Sequence, residues 1–92
     1  MKKSENEMLY KAILSLESVE ECDAFFTDLC TIMEIQSMCQ RLEVAQMLSQ
    51  KIVYNKIVRE TGASSATISR VNRSLNHGAE GYKTVLERLK NE

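Results

Sequence analysis

The chain has 92 residues, with 12 Lys+Arg against 13 Asp+Glu, 43% hydrophobic residues and 5% aromatics. At this length one domain spanning 1–92 is expected, and the balance of hydrophobicity against a net charge of −1 excludes a disordered chain. There is no run of about 18 consecutive apolar residues that could cross a membrane, and Met1–Glu7 lacks the apolar stretch of a secretory signal, so the cytoplasm is the expected location.

With no proline and only three glycines, Gly62, Gly78 and Gly81, the chain is poor in the residues that a turn-rich β fold draws on. Helices are expected instead. Ser4-x-x-Glu7 has the form of a capping box. It precedes Met8, Leu9, Ala12, Ile13 and Leu16, spaced for one helical face. Ser18-x-x-Glu21 repeats the signature ahead of Cys22, Phe25, Phe26, Leu29 and Ile32. Thr31-x-x-Glu34 is a third, followed by a long apolar stripe at Ile35, Met38, Cys39, Leu42, Ala45 and Leu48. Ser49 to Val53 reads as a connection. Short helices are expected over 54–61 and 65–75, a turn at Asn76-His77-Gly78, and a last helix whose face is Tyr82, Val85, Leu86 and Leu89. The class is all-α, with about six helices.

The first half carries large apolar groups on adjacent sides: Met8-Leu9, Phe25-Phe26 and Ile32-Met33. A buried core within one chain is one reading. The reading favoured here is that they also pack against a second subunit, because so short a chain with no Trp buries only a modest core. Dimerisation helices are expected at about 4–48 and 79–90.

Residues 54–75 have the makings of a helix-turn-helix. Gly62 stands where a left-handed residue would close the first helix. Ala63 is small enough for close approach, and Ser64 can cap the second helix. Ile57, Val58, Ile68 and Val71 are placed to form the wedge between the two helices. Ser65, Ala66, Thr67, Ser69, Arg70, Asn72 and Arg73 leave a surface of small polar and basic groups. Such a helix suits the major groove, where hydroxyls bond bases or phosphates.

The charge distribution agrees with that reading. Residues 1–50 carry a net −5 and residues 74–92 a net zero, whereas residues 51–73 carry +4. Lys51, Lys56, Arg59, Arg70 and Arg73 can neutralise phosphates. Charge runs are often only solvated faces, and two helices joined by a Gly turn are common. Here wedge, turn, cap and local charge coincide.

The segment Thr-Gly-Ala-Ser-Ser-Ala-Thr-Ile-Ser-Arg-Val-Asn-Arg-Ser-Leu at 61–75 resembles the tryptophan repressor superfamily, most nearly the YerC/YecD-type branch of Trp-repressor-related proteins. Gln40-Arg41-Leu42-Glu43-Val44-Ala45 fits the same branch. The resemblance covers about residues 30–75 well and the rest by helix order. It implies a six-helix, intertwined homodimer that sets two helix-turn-helix units on successive major grooves. Carried over by position, base reading would fall on Ser65, Ala66 and Ser69, with Asn55 near the DNA. Together with the charged and capping residues, the DNA-facing set is Asn55, Lys56, Ser64, Ser65, Ala66, Thr67, Ser69, Arg70 and Arg73. The positions matching the corepressor site are Thr31, Arg41 and Arg70, with Ser74 beside them. They imply either an unknown small anionic effector or, for the two arginines, the blander role of ion pairs. The repressor has a glycine after its second arginine, and this chain has Val71. The β-branched side chain should fill the indole slot, so tryptophan is not expected as a ligand, nor is any other cofactor.

Cys22, Cys30 and Cys39 lack the close pairing of a zinc site and read as structural thiols. His77 is the only histidine, which rules out a His-pair metal site. No nucleophile, base or phosphate-cradling loop argues for an enzyme. The expected function is therefore a homodimeric, sequence-specific regulator, by resemblance a repressor, with double-stranded DNA as partner. The alternative is a non-catalytic module that uses the same helix-turn-helix to dock a protein, which the overall net charge of −1 slightly favours.

Overall fold

The computed structural model describes residues 3–92, with side chains described from residue 5 onward. Six helices follow one another: α1 (Lys3–Leu14), α2 (Val19–Leu29), α3 (Ile32–Ser49), α4 (Tyr54–Thr61), α5 (Ser65–His77) and α6 (Gly81–Lys90). No strand occurs among the described residues. The chain divides into two compact units, Met1–Ile35 and Gln36–Glu92.

The first unit is built on local signals. Helix α1 already includes Ser4, so the expected start at that residue gives way to an earlier one; the Ser4 side chain lies outside the described residues. Glu7 and Lys11 form an ion pair at 3.2 Å, one helical turn apart in the favourable order. The Ser18 signature holds in part. The Glu21 N–H donates to Ser18 Oγ at 3.1 Å, but the Glu21 carboxylate accepts from the Glu17 N–H, one residue before the cap. At Thr31 the box is complete: the Glu34 N–H donates to Thr31 Oγ1 at 3.1 Å, and the Thr31 N–H donates to Glu34 Oε1 at 2.8 Å. Phe25 and Phe26 meet edge to face at 5.7 Å. No described side chain of this unit is fully buried. Met8, Leu14, Val19, Ile32 and Met33 are each more than 70% exposed.

The second unit holds the core. Val44 and Ala45 of α3, Ile57 of α4, Ala63 of the turn, and Ile68 and Val71 of α5 form one buried cluster. Met47, Leu48, Ile52, Tyr82 and Leu86 cover it. Burying an aliphatic side chain of this kind contributes about 1.5–3 kcal/mol. The core takes up the long apolar stripe along α3 only in part, with Leu48 packed against it. Only Ala45 of that stripe is buried, while Met38, Cys39 and Leu42 stay exposed, because the core meets α3 on its Val44–Ala45 side. Similarly, Tyr82 and Leu86 of α6 pack on the core while Val85 and Leu89 do not.

Helix α3 ends in a full Schellman motif. The Ile52 N–H donates to Met47 O and the Lys51 N–H to Leu48 O, with Lys51 left-handed at φ 63°. Ile52 and Met47 then both rest on the core. Helix α5 runs on to His77, so the turn expected at Asn76-His77-Gly78 starts only at Gly78. The Asn76 amide folds back on the Asn72 carbonyl and side chain, at 2.9 Å each, which stabilises the extra turn. The Gly78 N–H donates to Ser74 O, and a Cβ at Gly78 would collide with that carbonyl oxygen.

Candidate nucleic-acid interface

The α4–turn–α5 unit is assembled from short-range chemistry. Gly62 closes α4 at φ 71° and ψ 6°, its N–H donating to Val58 O at 2.9 Å. That conformation costs a residue with a Cβ about 1–2 kcal/mol. The Thr61 hydroxyl donates to Ile57 O at 2.7 Å and accepts from the Ala63 N–H at 3.1 Å, which ties the turn to the helix before it. Ser64 Oγ accepts the Thr67 N–H at 3.1 Å and caps α5.

The wedge between the helices is Ile57, Ala63, Ile68 and Val71, all buried. Val58, expected in it, is 43% exposed and is corrected to the outer side of α4. One turn of that helix offers a single inward position between the two expected, and Ile57 takes it. Ala63, expected only to allow close approach, is itself part of the wedge.

With Ile68, Val71 and Leu75 turned into the core, the other face of α5 is committed to the outside. Ser65, Ala66, Ser69, Arg70 and Arg73 are all exposed there, and the spacings 65/69, 66/70, 69/73 and 70/73, of three or four residues, keep them on one side of the helix. Asn55 and Lys56 are exposed in the first turn of α4, and Ser64 is exposed at the start of α5. Thr67 is the exception within the expected set. It is half-buried, and its Oγ1 accepts from the Ser64 hydroxyl at 3.1 Å, so it supports the cap. None of the basic groups on α4 and α5 has a carboxylate within ion-pair distance among the described residues; the two pairs present are Lys11–Glu7 and Lys83–Glu80.

The same observation revises the ion-pair role expected for Arg41 and Arg70. Arg41 Nη1 donates to Ser37 Oγ at 3.0 Å, and Arg70 is exposed. Neither guanidinium has a carboxylate within ion-pair distance among the described residues. Among the described residues no hydrogen bond joins Arg41, Arg70 and Ser74 to one another. Thr31 lies in the first unit, where it caps α3. Val71 is 1% exposed within the core cluster.

Two residues with a part in this site escaped the sequence reading of single roles. Thr61 braces the turn, as above. Gln40, on α3, donates from Nε2 to Thr61 O at 3.0 Å. A threonine directly before the closing glycine is a visible signal for the first. Nothing local to Gln40 signals the second.

The sequence profile of the family described as Trp repressor protein matches residues 4–90. The chain belongs to the Trp repressor family. It is 58% identical over 86 residues to the uncharacterized protein YerC of Bacillus subtilis (strain 168), covering 94% of this chain and 83% of that one. It is also similar to two crystal structures. One is a candidate Trp repressor from Staphylococcus aureus, with a TM-score of 0.93 and 50% identity over 99% of this chain and 91% of that chain. The other is a TrpR like protein from Eubacterium eligens ATCC 27750, with a TM-score of 0.93 and 55% identity over 97% of this chain and 92% of that chain. This chain is a Trp-repressor-related protein of the YerC type. Its family and fold are those of DNA-binding regulators, which as a class are not enzymes. No helix among the described residues is long and apolar enough to cross a membrane.

Proposed function

We propose that the chain is a cytoplasmic, sequence-specific transcriptional regulator that binds double-stranded DNA as a homodimer and represses. The observation that carries this reading is the division of α5. One face is locked into the core by Ile68, Val71 and Leu75, and the other offers Ser65, Ala66, Ser69, Arg70 and Arg73. In this reading the start of α5 meets base edges, because its small side chains let the backbone approach the groove. Arg70, Arg73, Lys56 and Asn55 then contact phosphates on either side. The dimer is supported by the uncovered apolar side chains of the first unit, Met8, Leu14, Val19, Ile32 and Met33. A second copy would bury them and set two α5 helices roughly 34 Å apart, one turn of DNA.

Arg41, Arg70 and Ser74, all in the second unit, are the groups that would meet a small anionic effector. Tryptophan does not fit this proposal. Where the tryptophan repressor that this chain resembles has a glycine, this chain has the buried Val71, whose β-branched side chain would occupy that space.

Selection from a pool of random duplexes at near-physiological salt tests the proposal. The expected result is a palindrome with half-sites about one helical turn apart. No selection at any salt, and no binding at low salt, would refute it and leave the helix-turn-helix as a protein-docking element.

A further inference from the structure

The wedge that seats the reading unit on α3 is wholly apolar: Val44 and Ala45 against Ile57, Ile68 and Val71. Apolar contact is strong and nondirectional. It keeps the unit attached but does little to fix its rotation about the contact. A hydrogen bond has a direction. Among the described residues, one side-chain hydrogen bond joins residues more than four positions apart: Gln40 Nε2 to Thr61 O, at 3.0 Å across 21 positions. The acceptor is one of the last carbonyls of α4, which the helix itself cannot satisfy. It sits directly before Gly62, where the chain turns from α4 into α5. Gln40 is half-buried, so the bond is partly shielded from competing water.

We infer that Gln40 is a positioning residue that fixes the angle at which the α4–α5 unit stands on α3. The inference rests on the proposed DNA-binding function, for which that angle sets where α5 enters the groove. An apolar wedge alone would let the unit rock, and binding would then have to freeze that motion. The Gln40 bond freezes it beforehand, within the chain and without a ligand.

The test compares the full chain with Q40M, which keeps length and loses the donor, and with Q40E, which sets an acceptor against the Thr61 carbonyl. Two readouts are taken. The first is affinity for the selected palindrome and for a random duplex at low salt. The second is amide hydrogen exchange across the chain. Loss of one net hydrogen bond corresponds to about a threefold to tenfold weaker grip on the palindrome. The random duplex should bind as before, and the Gly62 and Ala63 amides should exchange faster while those of the α3 interior do not. Both variants matching the wild type on the palindrome and in the turn would overturn the inference. So would an equal loss on both duplexes with exchange raised throughout, since that is general destabilisation. If the wild type selects no duplex, the DNA-binding reading fails on its own, and exchange decides the matter: faster exchange confined to the turn retains Gln40 as the brace, and unchanged exchange removes it. Should Q40M fail to fold, Q40E carries the same comparison.

Discussion

Ile68 and Val58 are both β-branched residues of the helix-turn-helix, and the geometry assigns them opposite worth. Ile68 is fully buried in the cluster with Val44, Ile57 and Val71. Ile68→Ala removes its branched side chain beyond Cβ. At about 0.8 kcal/mol for each buried methylene equivalent, the transfer loss is about 2.4 kcal/mol, and the cavity left behind raises it to about 3–4 kcal/mol. Val58 is 43% exposed. Val58→Ala loses only partly buried methyl groups, and alanine recovers a few tenths as the better helix former, so its net cost is under about 1 kcal/mol. Urea unfolding followed by helical circular dichroism measures both. It must be run at one protein concentration, because the stability of a dimer depends on concentration. Costs within about 1 kcal/mol of each other, or a larger cost for Val58→Ala, would refute the placement of the wedge.

Three further outcomes follow from the same geometry. Ser64→Ala removes the oxygen that accepts the Thr67 N–H, and should lower stability by about 1 kcal/mol in the same unfolding assay. Replacing Arg70 and Arg73 together by Ala should weaken duplex binding and reduce the slope of log affinity against log salt by about 2, read in a salt titration. An unchanged slope would take both residues off the phosphates. Calorimetric titration with tryptophan should give no heat of micromolar binding, since Val71 is packed into the core; a saturating signal would show that the slot is open.

The six helices and the helix-turn-helix were legible in the amino-acid order. Their signals are local. Ser18, Thr31 and Ser64 each cap a helix within three residues, and Gly62 adopts the left-handed turn where it stands. Errors occurred where a local pattern allowed more than one outcome. Ser4 is a good cap, yet the helix begins before it. Asn76-His77-Gly78 reads as a turn, yet the Asn76 amide bonds to Asn72 and carries the helix on. The exposure of Ser65, Ala66, Ser69, Arg70 and Arg73 was likewise readable from the periodicity of α5, whereas the half-buried state of Thr67 was not.

What the sequence determined by itself was the succession of helices, the helix-turn-helix and the sign of its charge, because caps, turns and periodicity act between residues three or four apart. Only the tertiary structure decided which side of α3 forms the core, that Ile57 and Ala63 rather than Val58 complete the wedge, and that Gln40 reaches Thr61. An apolar stripe states that burial is needed but not which neighbour provides it. A hydrogen bond across 21 positions leaves no period to find. Both are settled only when distant segments compete for the same limited core.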